Sequence, residues 1–461
     1  MNKNNIQVVK EKFALALENH QNNNLIVAKN LYNKILKINP NYIDAINNLG
    51  LVFQGLGELQ KAINCYEKAI KIDPNYIHSQ FNLGNTLNSL REYQKSISCY
   101  ERAIEIDPNF KDAINNLGVA FKELGEYQKS ISCYERAIEI DPNFKDAINN
   151  LGVAFKELGE YQKSISCYER AIEIDFNYAS AHFNRGVLLY EIGQYENAIK
   201  DLELIDFKNS NSYLLDCFFK LDKRTIFYDL LNTKIKKNNN IDALIGSCCS
   251  RSEIRYGINI PNPFCKDPLN YVLSKDLTKI CNFDSIFIET VKNILDQDKI
   301  ALKNQSLLTN GIQTSGNFFN HEVKLTNKIK NIIHSEIKNY KINFTDSEEG
   351  FLKNFPHKYS INAWLVSMKS GGKLDAHMHE NGWLSGSIYI NVPRKKKIDS
   401  GNLVVCIEEE YEKEENKSIK KSINVVTGSI CLFPASLLHY TVPFESKEER
   451  IVLAFDVMAK N

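Results

Sequence analysis

The sequence predicts a multidomain chain of mixed class: an N-terminal all-α superhelix of tandem repeats, followed by a C-terminal domain of short antiparallel strands. Three observations predict it. Pro40, Pro74, Pro108 and Pro142 recur at a spacing of 34 residues. Residues 92–141 and 126–175 are identical over 50 positions at that same offset. Beyond about residue 357, strand-like runs broken by glycine, proline and charged turns replace the helical periodicity.

Size and composition set the frame. A chain of 461 residues has room for two or three domains. Apolar residues make up 43% and charged residues 25%, enough for a large core. The net charge of +1 gives no bulk attraction to nucleic acid or to an acidic membrane surface, so neither is an expected partner. No apolar run approaches the roughly 20 residues needed to span a bilayer, and the start, Met1 to Ile6, has no hydrophobic segment of a secretory signal. A cytoplasmic protein is expected. There are 11 cysteines, of which Cys65, Cys99, Cys133 and Cys167 recur at the repeat period. They read as small buried apolar side chains, and none of the 11 has zinc-type spacing.

The repeat comes first in chain order. Its second unit shows the pattern Leu49-Gly50, Phe53, Ala62, Tyr66, Ala69 and Pro74. Gly50 and Ala62 let two helices approach, Tyr66 and Ala69 pack on the next unit, and Pro74 ends the second helix. These positions resemble the tetratricopeptide repeat, TPR. In this register the TPR array spans 9–210 in about six units: 9–42, 43–76, 77–110, 111–144, 145–178 and 179 to about 210. The first lacks the glycine and reads as a cap. The last carries Arg185 at a leucine position. A helical solenoid presents a concave groove, so a protein or peptide partner is expected there. Asn48, Asn82, Asn116, Asn150 and Asn184 hold one first-helix position in five successive units. A side-chain amide both donates and accepts, so this ladder is a candidate for gripping an extended peptide. It resembles the ladder lining the TPR groove of protein O-glycosyltransferases.

Residues 211–260 read as degenerate capping helices and a linker, with helix broken repeatedly over Asn259 to Pro268. The remaining domain is expected over 261–461, with its core at 351–459. Helix-like stretches are expected within 270–305, a loop or strand edge over 307–319, and a helix over 323–345. Strands follow at 359–368, turned by Gly371-Gly372, then 375–379, 383–392, 402–407, 430–433 and 451–457. An acidic loop at 408–417 and the basic run Lys395-Lys-Lys397 read as solvated loop charge. Short strands without intervening helices indicate a sandwich or barrel.

Within that domain, His377 and His379 lie two apart, which in a strand puts both imidazoles on one face about 7 Å apart. His439 follows the run Gly428 to Pro434, and Arg450 opens an apolar strand 11 residues later. Two nitrogen ligands from one strand, a third from a distant strand and a cation beyond suit an open non-haem iron site with an acidic co-substrate. His377-x-His379, Ser385-Gly386-x-x-Tyr389, Gly401-Asn-Leu403, Gly428-x4-Phe433-Pro434, His439, Pro443 and Arg450 occur in the order seen in a family of 2-oxoglutarate/Fe(II)-dependent oxygenases related to the prolyl hydroxylases. The resemblance covers about 350–459, with a looser match over Gln313 to Phe319.

The resemblance implies a double-stranded β-helix, or jelly roll, and a dioxygenase that hydroxylates its substrate. It implies His377, His379 and His439 as catalytic metal ligands for Fe(II). Arg450 would hold the distal carboxylate of 2-oxoglutarate through two hydrogen bonds, and Tyr389 would add a third. Most relatives of the fold carry a carboxylate two residues after the first histidine, where this chain has His379. That departure leaves Asp375 open as an alternative ligand. It also leaves open a TPR scaffold with an inactive barrel, and a three-histidine dioxygenase that needs no keto acid. Trp364 and Trp383, the only tryptophans, read as core residues or as a substrate-stacking wall.

Overall fold

A computed structural model describes every residue except 1–2, 208, 236–240, 258–259, 296–299, 301, 304, 306, 322, 409–418 and 461. The acidic loop past Glu408, part of the expected capping segment and Asn259 of the linker therefore lie outside the described residues. The chain forms two compact units, 1–159 and 160–461. The division falls inside the repeat array.

The first unit is helical: α1 (Lys3–Gln21), α2 (Leu25–Ile38), α3 (Ile43–Gly55), α4 (Leu59–Ile72), α5 (Ile77–Ser89), α6 (Tyr93–Ile106), α7 (Lys111–Glu123), α8 (Tyr127–Ile140) and α9 (Lys145–Glu157). Each repeat is a helix pair with a fixed packing device. A Cβ on Gly50 would stand 2.5 Å from the ring of Tyr66, and one on Gly118 would stand 2.7 Å from that of Tyr134. Only glycine admits the ring, and each ring is fully buried. Tyr66 also packs with Leu83 and Leu87 of the next repeat, so the same side chain closes one unit and joins it to its neighbour. The second helix of the first repeat ends at Asn39. In the next three repeats it ends where aspartate turns the chain: Asp73 accepts the Asn75 amide at 2.9 Å, and Asp107 and Asp141 do the same for Asn109 and Asn143 at 3.0 Å. The proline between them cannot continue the helix.

The second unit opens with α10 (Tyr161–Ile174), α11 (Ala179–Glu191), α12 (Tyr195–Leu202), α13 (Ser210–Lys220), α14 (Arg224–Leu230) and α15 (Ala243–Tyr256). Phe176 stands where earlier repeats have proline, yet Asp175 still accepts from Asn177 at 3.0 Å. The turn therefore rests on the aspartate, and Phe176 is left 67% exposed. Arg185 is bound through two nitrogens to Asp201, both at 2.7 Å. Among the described residues, no helix is long and apolar enough to cross a membrane. All 11 cysteines are free.

The sheet region follows: β1 (Leu273–Asp276), α16 (Glu289–Leu295), β2 (Leu302–Lys303), β3 (Leu308–Thr314), α17 (Val323–Asn343), α18 (Gly350–Lys353), β4 (Tyr359–His377), β5 (Leu384–Asn391), β6 (Leu403–Cys406), β7 (Lys420–Ile423), β8 (Ser429–Pro434), β9 (Leu438–Thr441) and β10 (Arg450–Ala459). These ten strands form one antiparallel sheet, ordered β1-β8-β5-β10-β4-β9-β6-β7, with β3 also on β4 and β2 on β3. Four-residue β1 lies in a stretch expected to be helical, and the expected loop or strand edge contains β3.

Strand β4 departs from expectation. Gly371-Gly372 does not end a hairpin arm; the strand continues through it to His377. Gly371 takes φ +76° and donates its amide to the Phe444 carbonyl at 2.7 Å. Before this point β4 pairs with β10 (Tyr359↔Ala459 to Met368↔Arg450); beyond it β4 pairs with β9 (Leu374↔Thr441, His377↔His439). Glycine is needed because a Cβ on Gly372 would meet the Lys369 carbonyl oxygen at 2.6 Å. Alternation sorts the faces. Leu453, Phe455 and Val457 of β10 enter the core that includes Phe218 and Ile333 of the flanking helices and Phe264 of the segment before β1, whereas Val452 joins Tyr389, Val405 and Phe433 on the other side. Arg450 and Asp456 share the parity of Val452, and both are buried.

Candidate metal centre

The change of partners in β4 builds the site. His377 is the last residue of β4 and lies directly opposite His439 of β9. His379 stands just beyond the strand, in a turn closed by the Gly382 amide on the His379 carbonyl at 2.9 Å. The two-residue spacing therefore brings the rings together through a turn rather than along a strand face. His379 Nε2 lies 3.3 Å from His377 Nε2, and each of the three histidines has a ring nitrogen within 4.8 Å of the others.

The other ring nitrogens are set from behind. His377 Nδ1 donates to the Asp375 carbonyl at 2.9 Å. His379 Nδ1 lies 2.6 Å from Asp456 Oδ1, which also accepts from Ser385 Oγ at 2.8 Å. His439 Nδ1 is buried and has no partner. Burial, then the neighbouring His379, pulls the His377 imidazole down to about 4. His439 is held well below its ordinary value by burial and the two other rings. Burial also opposes charge on His379, but the Asp456 carboxylate outweighs it and the net direction is upward. Glu380, next in the chain, is pushed up to about 7, chiefly by burial and with help from Glu191.

At the other end of β10, Arg450 is 1% exposed. Its guanidinium lies 5.0 Å from the Tyr389 ring and donates to the Gly401 carbonyl at 3.2 Å. Its Nε is buried without a partner, and no acidic side chain pairs with it among the described residues. Burial lowers its affinity for its proton. Tyr389 Oη accepts from Ser387 Oγ at 3.2 Å.

The family described as "Putative 2OG-Fe(II) oxygenase" matches residues 362–456, from the first half of β4 to Asp456. Tetratricopeptide repeat families match 43–76, 79–110, 112–144, 133–166 and 154–193. The chain carries TPR repeats and, at 362–456, a domain matched by that putative 2OG-Fe(II) oxygenase family. Among curated proteins none matches. Solved structures similar to it include MamA, at 26% identity and a TM-score of 0.34, covering 36% of this chain and 96% of that one. YrrB, described as a TPR protein with an unusual peptide-binding site, is 20% identical with a TM-score of 0.34, over 42% of this chain and 97% of that one. A tetratricopeptide repeat protein from Parabacteroides merdae is 17% identical with a TM-score of 0.43, over 50% and 92%. Scores this low add nothing to the assignment.

The donors in the oxygenase-family domain fit a divalent transition metal. With the Nδ1 atoms of His377 and His379 hydrogen-bonded elsewhere, their Nε2 atoms converge at 3.3 Å, where they can share a proton or bind one cation. Arg450, buried without a counter-ion among the described residues, fits a carboxylate ligand. Asp375 does not join this group: its carboxylate pairs with Lys373 at 2.8 Å and is half exposed. Trp364 stands edge-on to His379 at 5.3 Å. Trp383 instead packs on Phe264 and donates Nε1 to the Phe351 carbonyl at 2.6 Å. Asp456 and the Ser385 hydroxyl behind His379 are contributions that the histidine spacing does not signal; the sequence clue is one acidic residue in the apolar run 451–457.

In the TPR array, Asn48, Asn82, Asn116 and Asn150 all lie half-buried on first helices. Their amides are partly committed to the array itself. Asn82 donates to Asn47 at 3.0 Å, Asn116 to Asn85 at 2.9 Å and Asn150 to Asn115 at 3.1 Å. Asn184 holds the equivalent place on α11 in the second unit.

Proposed function

We propose that this chain is an Fe(II)- and 2-oxoglutarate-dependent dioxygenase of the hydroxylase type, working in the cytoplasm, whose TPR array recruits a protein partner or substrate. The carrying observation is the pairing of three converging imidazoles with a buried arginine that has no counter-ion among the described residues. The strand order and the partner change in β4 support a double-stranded β-helix, in which one strand passes between two sheets.

His377, His379 and His439 would hold the iron through one nitrogen each, leaving its remaining positions for 2-oxoglutarate and oxygen. The bound iron and keto acid supply the oxidising chemistry; the protein supplies binding and orientation. Arg450 recognises the distal carboxylate of 2-oxoglutarate, with the Tyr389 hydroxyl as a second donor. The apolar residues around Tyr389, among them Val405, Phe433 and Val452, exclude water from that carboxylate and so strengthen the ion pair.

The asparagine ladder is proposed as the partner-binding line. Each Nδ2 carries two hydrogens, so Asn82, Asn116 and Asn150 keep one donor after their bonds between repeats. Those bonds also fix the amide orientation, which lowers the entropy lost on binding a peptide. Asn48 belongs to the same line in the first unit, and Asn184 holds the equivalent first-helix position in the second.

The test is calorimetric titration of 2-oxoglutarate into Mn(II)-loaded protein, with succinate as competitor. Saturable 1:1 binding that Arg450→Ala abolishes supports the reading. Equal binding of 2-oxoglutarate with and without the metal contradicts it.

A further inference from the structure

We propose that Asp456 is a positioning residue of the metal centre: its carboxylate orients His379 and returns the negative charge that three neutral imidazole ligands lack. This rests on the oxygenase reading above and goes beyond it. Two histidines and a carboxylate bring one negative charge to Fe(II); three imidazoles bring none. Here the carboxylate stands one hydrogen bond further out.

Placement carries the argument. In the sheet Asp456 of β10 lies opposite Ser385 of β5 and Asn362 of β4, so its backbone is held on both sides. It shares the parity of Arg450 and Val452 and therefore faces the site. The residue is 7% exposed. Burying a carboxylate is costly unless it is paired, and among the described residues no lysine or arginine pairs with it. Its partners are the His379 ring at 2.6 Å and the Ser385 hydroxyl at 2.8 Å.

His379 needs such a support more than the other two histidines do. His377 and His439 sit on paired strands, whereas His379 lies past the end of β4, where no ladder fixes its side chain. Accepting the Nδ1 proton selects the tautomer whose Nε2 lone pair points at His377 Nε2. A carboxylate behind a metal-binding imidazole also raises its basicity, and loss of such a partner commonly costs 10–100-fold in metal affinity. Ser385 acts mainly on the carboxylate, donating to the same oxygen that meets the ring. Its own oxygen is 3.3 Å from His379 Nδ1, longer than the Asp456 contact.

The experiment is anaerobic Co(II) titration of the full chain, followed by the visible d–d band, for wild type, Asp456→Asn and Ser385→Ala, with circular dichroism as a fold check. Asparagine keeps the volume and a neutral acceptor, so it separates charge from packing. The proposal expects Asp456→Asn to bind Co(II) about 10–100-fold more weakly with a shifted band, and Ser385→Ala to bind a few-fold more weakly with the wild-type band. Should Asp456→Asn not fold, the few-fold loss in Ser385→Ala carries the test. Wild-type affinity and band in whichever variants fold overturns the proposal and leaves the oxygenase reading intact. No Co(II) uptake by the wild type overturns both.

Discussion

His377 and His439 are directly opposed across β4 and β9, with ring centroids 4.3 Å apart. Two residues 62 apart in sequence thus become one face of a three-histidine cluster because β4 changes neighbours after Gly371-Gly372. The bend that looks like a turn in the sequence is what places the ligands.

Arg450→Lys should separate the two ligands of the site. Lysine keeps the charge but loses the forked pair of donors. A charge-assisted hydrogen bond contributes about 1.5–3 kcal/mol, so 2-oxoglutarate binding should weaken roughly 10–100-fold. Co(II) affinity should stay at the wild-type level, read by titration with and without the keto acid.

Metal binding should release about one proton near neutral pH, not three. His377 and His439 are held neutral down to acidic pH, mainly by burial, while Asp456 raises His379 above its ordinary value. Below that raised value a proton on His379 competes with the metal. Affinity should therefore fall up to about tenfold per pH unit as pH drops. Proton release measured by calorimetry in buffers of different ionisation enthalpy checks the number.

Asp216→Asn should destabilise the helical layer against the sheet. Arg251 Nη1 meets Asp216 at 3.1 Å and its Nε meets Glu408 at 3.2 Å. Removing one partner of a buried pair costs about 3–5 kcal/mol, and Glu408 keeps this case near the lower end. Burial, the largest influence, would raise the Asp216 carboxyl, but Arg251, Lys220 and the hydrogen bonds from Tyr190 and Cys248 together outweigh it and the value is lowered. The stabilisation is thus complete above the unfolded carboxylate value of about 3.9 and is lost as pH falls through the lower folded value. Thermal unfolding at pH 7 and below pH 4 should show a gap between wild type and variant that narrows in acid.

Gly118→Ala should loosen its repeat despite the better helix propensity of alanine. Propensity contributes about 1 kcal/mol in its favour, against roughly 1–3 kcal/mol for forcing a methyl into a packed core. The Cβ would lie 2.7 Å from the fully buried Tyr134 ring, so strain wins. Hydrogen exchange should quicken in α7 and α8 while the amides of β10 stay protected.

The repeat register is legible from sequence because the same glycine, tyrosine and proline recur at one period. Each solves the same packing problem in successive central units, as Gly50 with Tyr66 and Gly118 with Tyr134 show. The histidines and Arg450 are legible because such residues are rare and follow a family's order. The four-residue strands β1, β7 and β9 are not, since neighbouring strands rather than their own alternation hold them. Nor is the continuity of β4, because Gly371-Gly372 suits a turn and a bend equally well. Asp456 carries only a faint local signal, an acidic residue in the apolar run 451–457. Its role comes from a turn 77 residues earlier in the chain, brought to it by sheet pairing.

The central claim is an iron site that takes 2-oxoglutarate, and the most direct measurement is anaerobic addition of Fe(II) and then 2-oxoglutarate, watching for the visible metal-to-ligand charge-transfer band. The account predicts a band in the wild type that is absent in His377→Ala and weak in Arg450→Ala. A wild-type protein that shows no band, and holds no metal by elemental analysis after reconstitution, would contradict it.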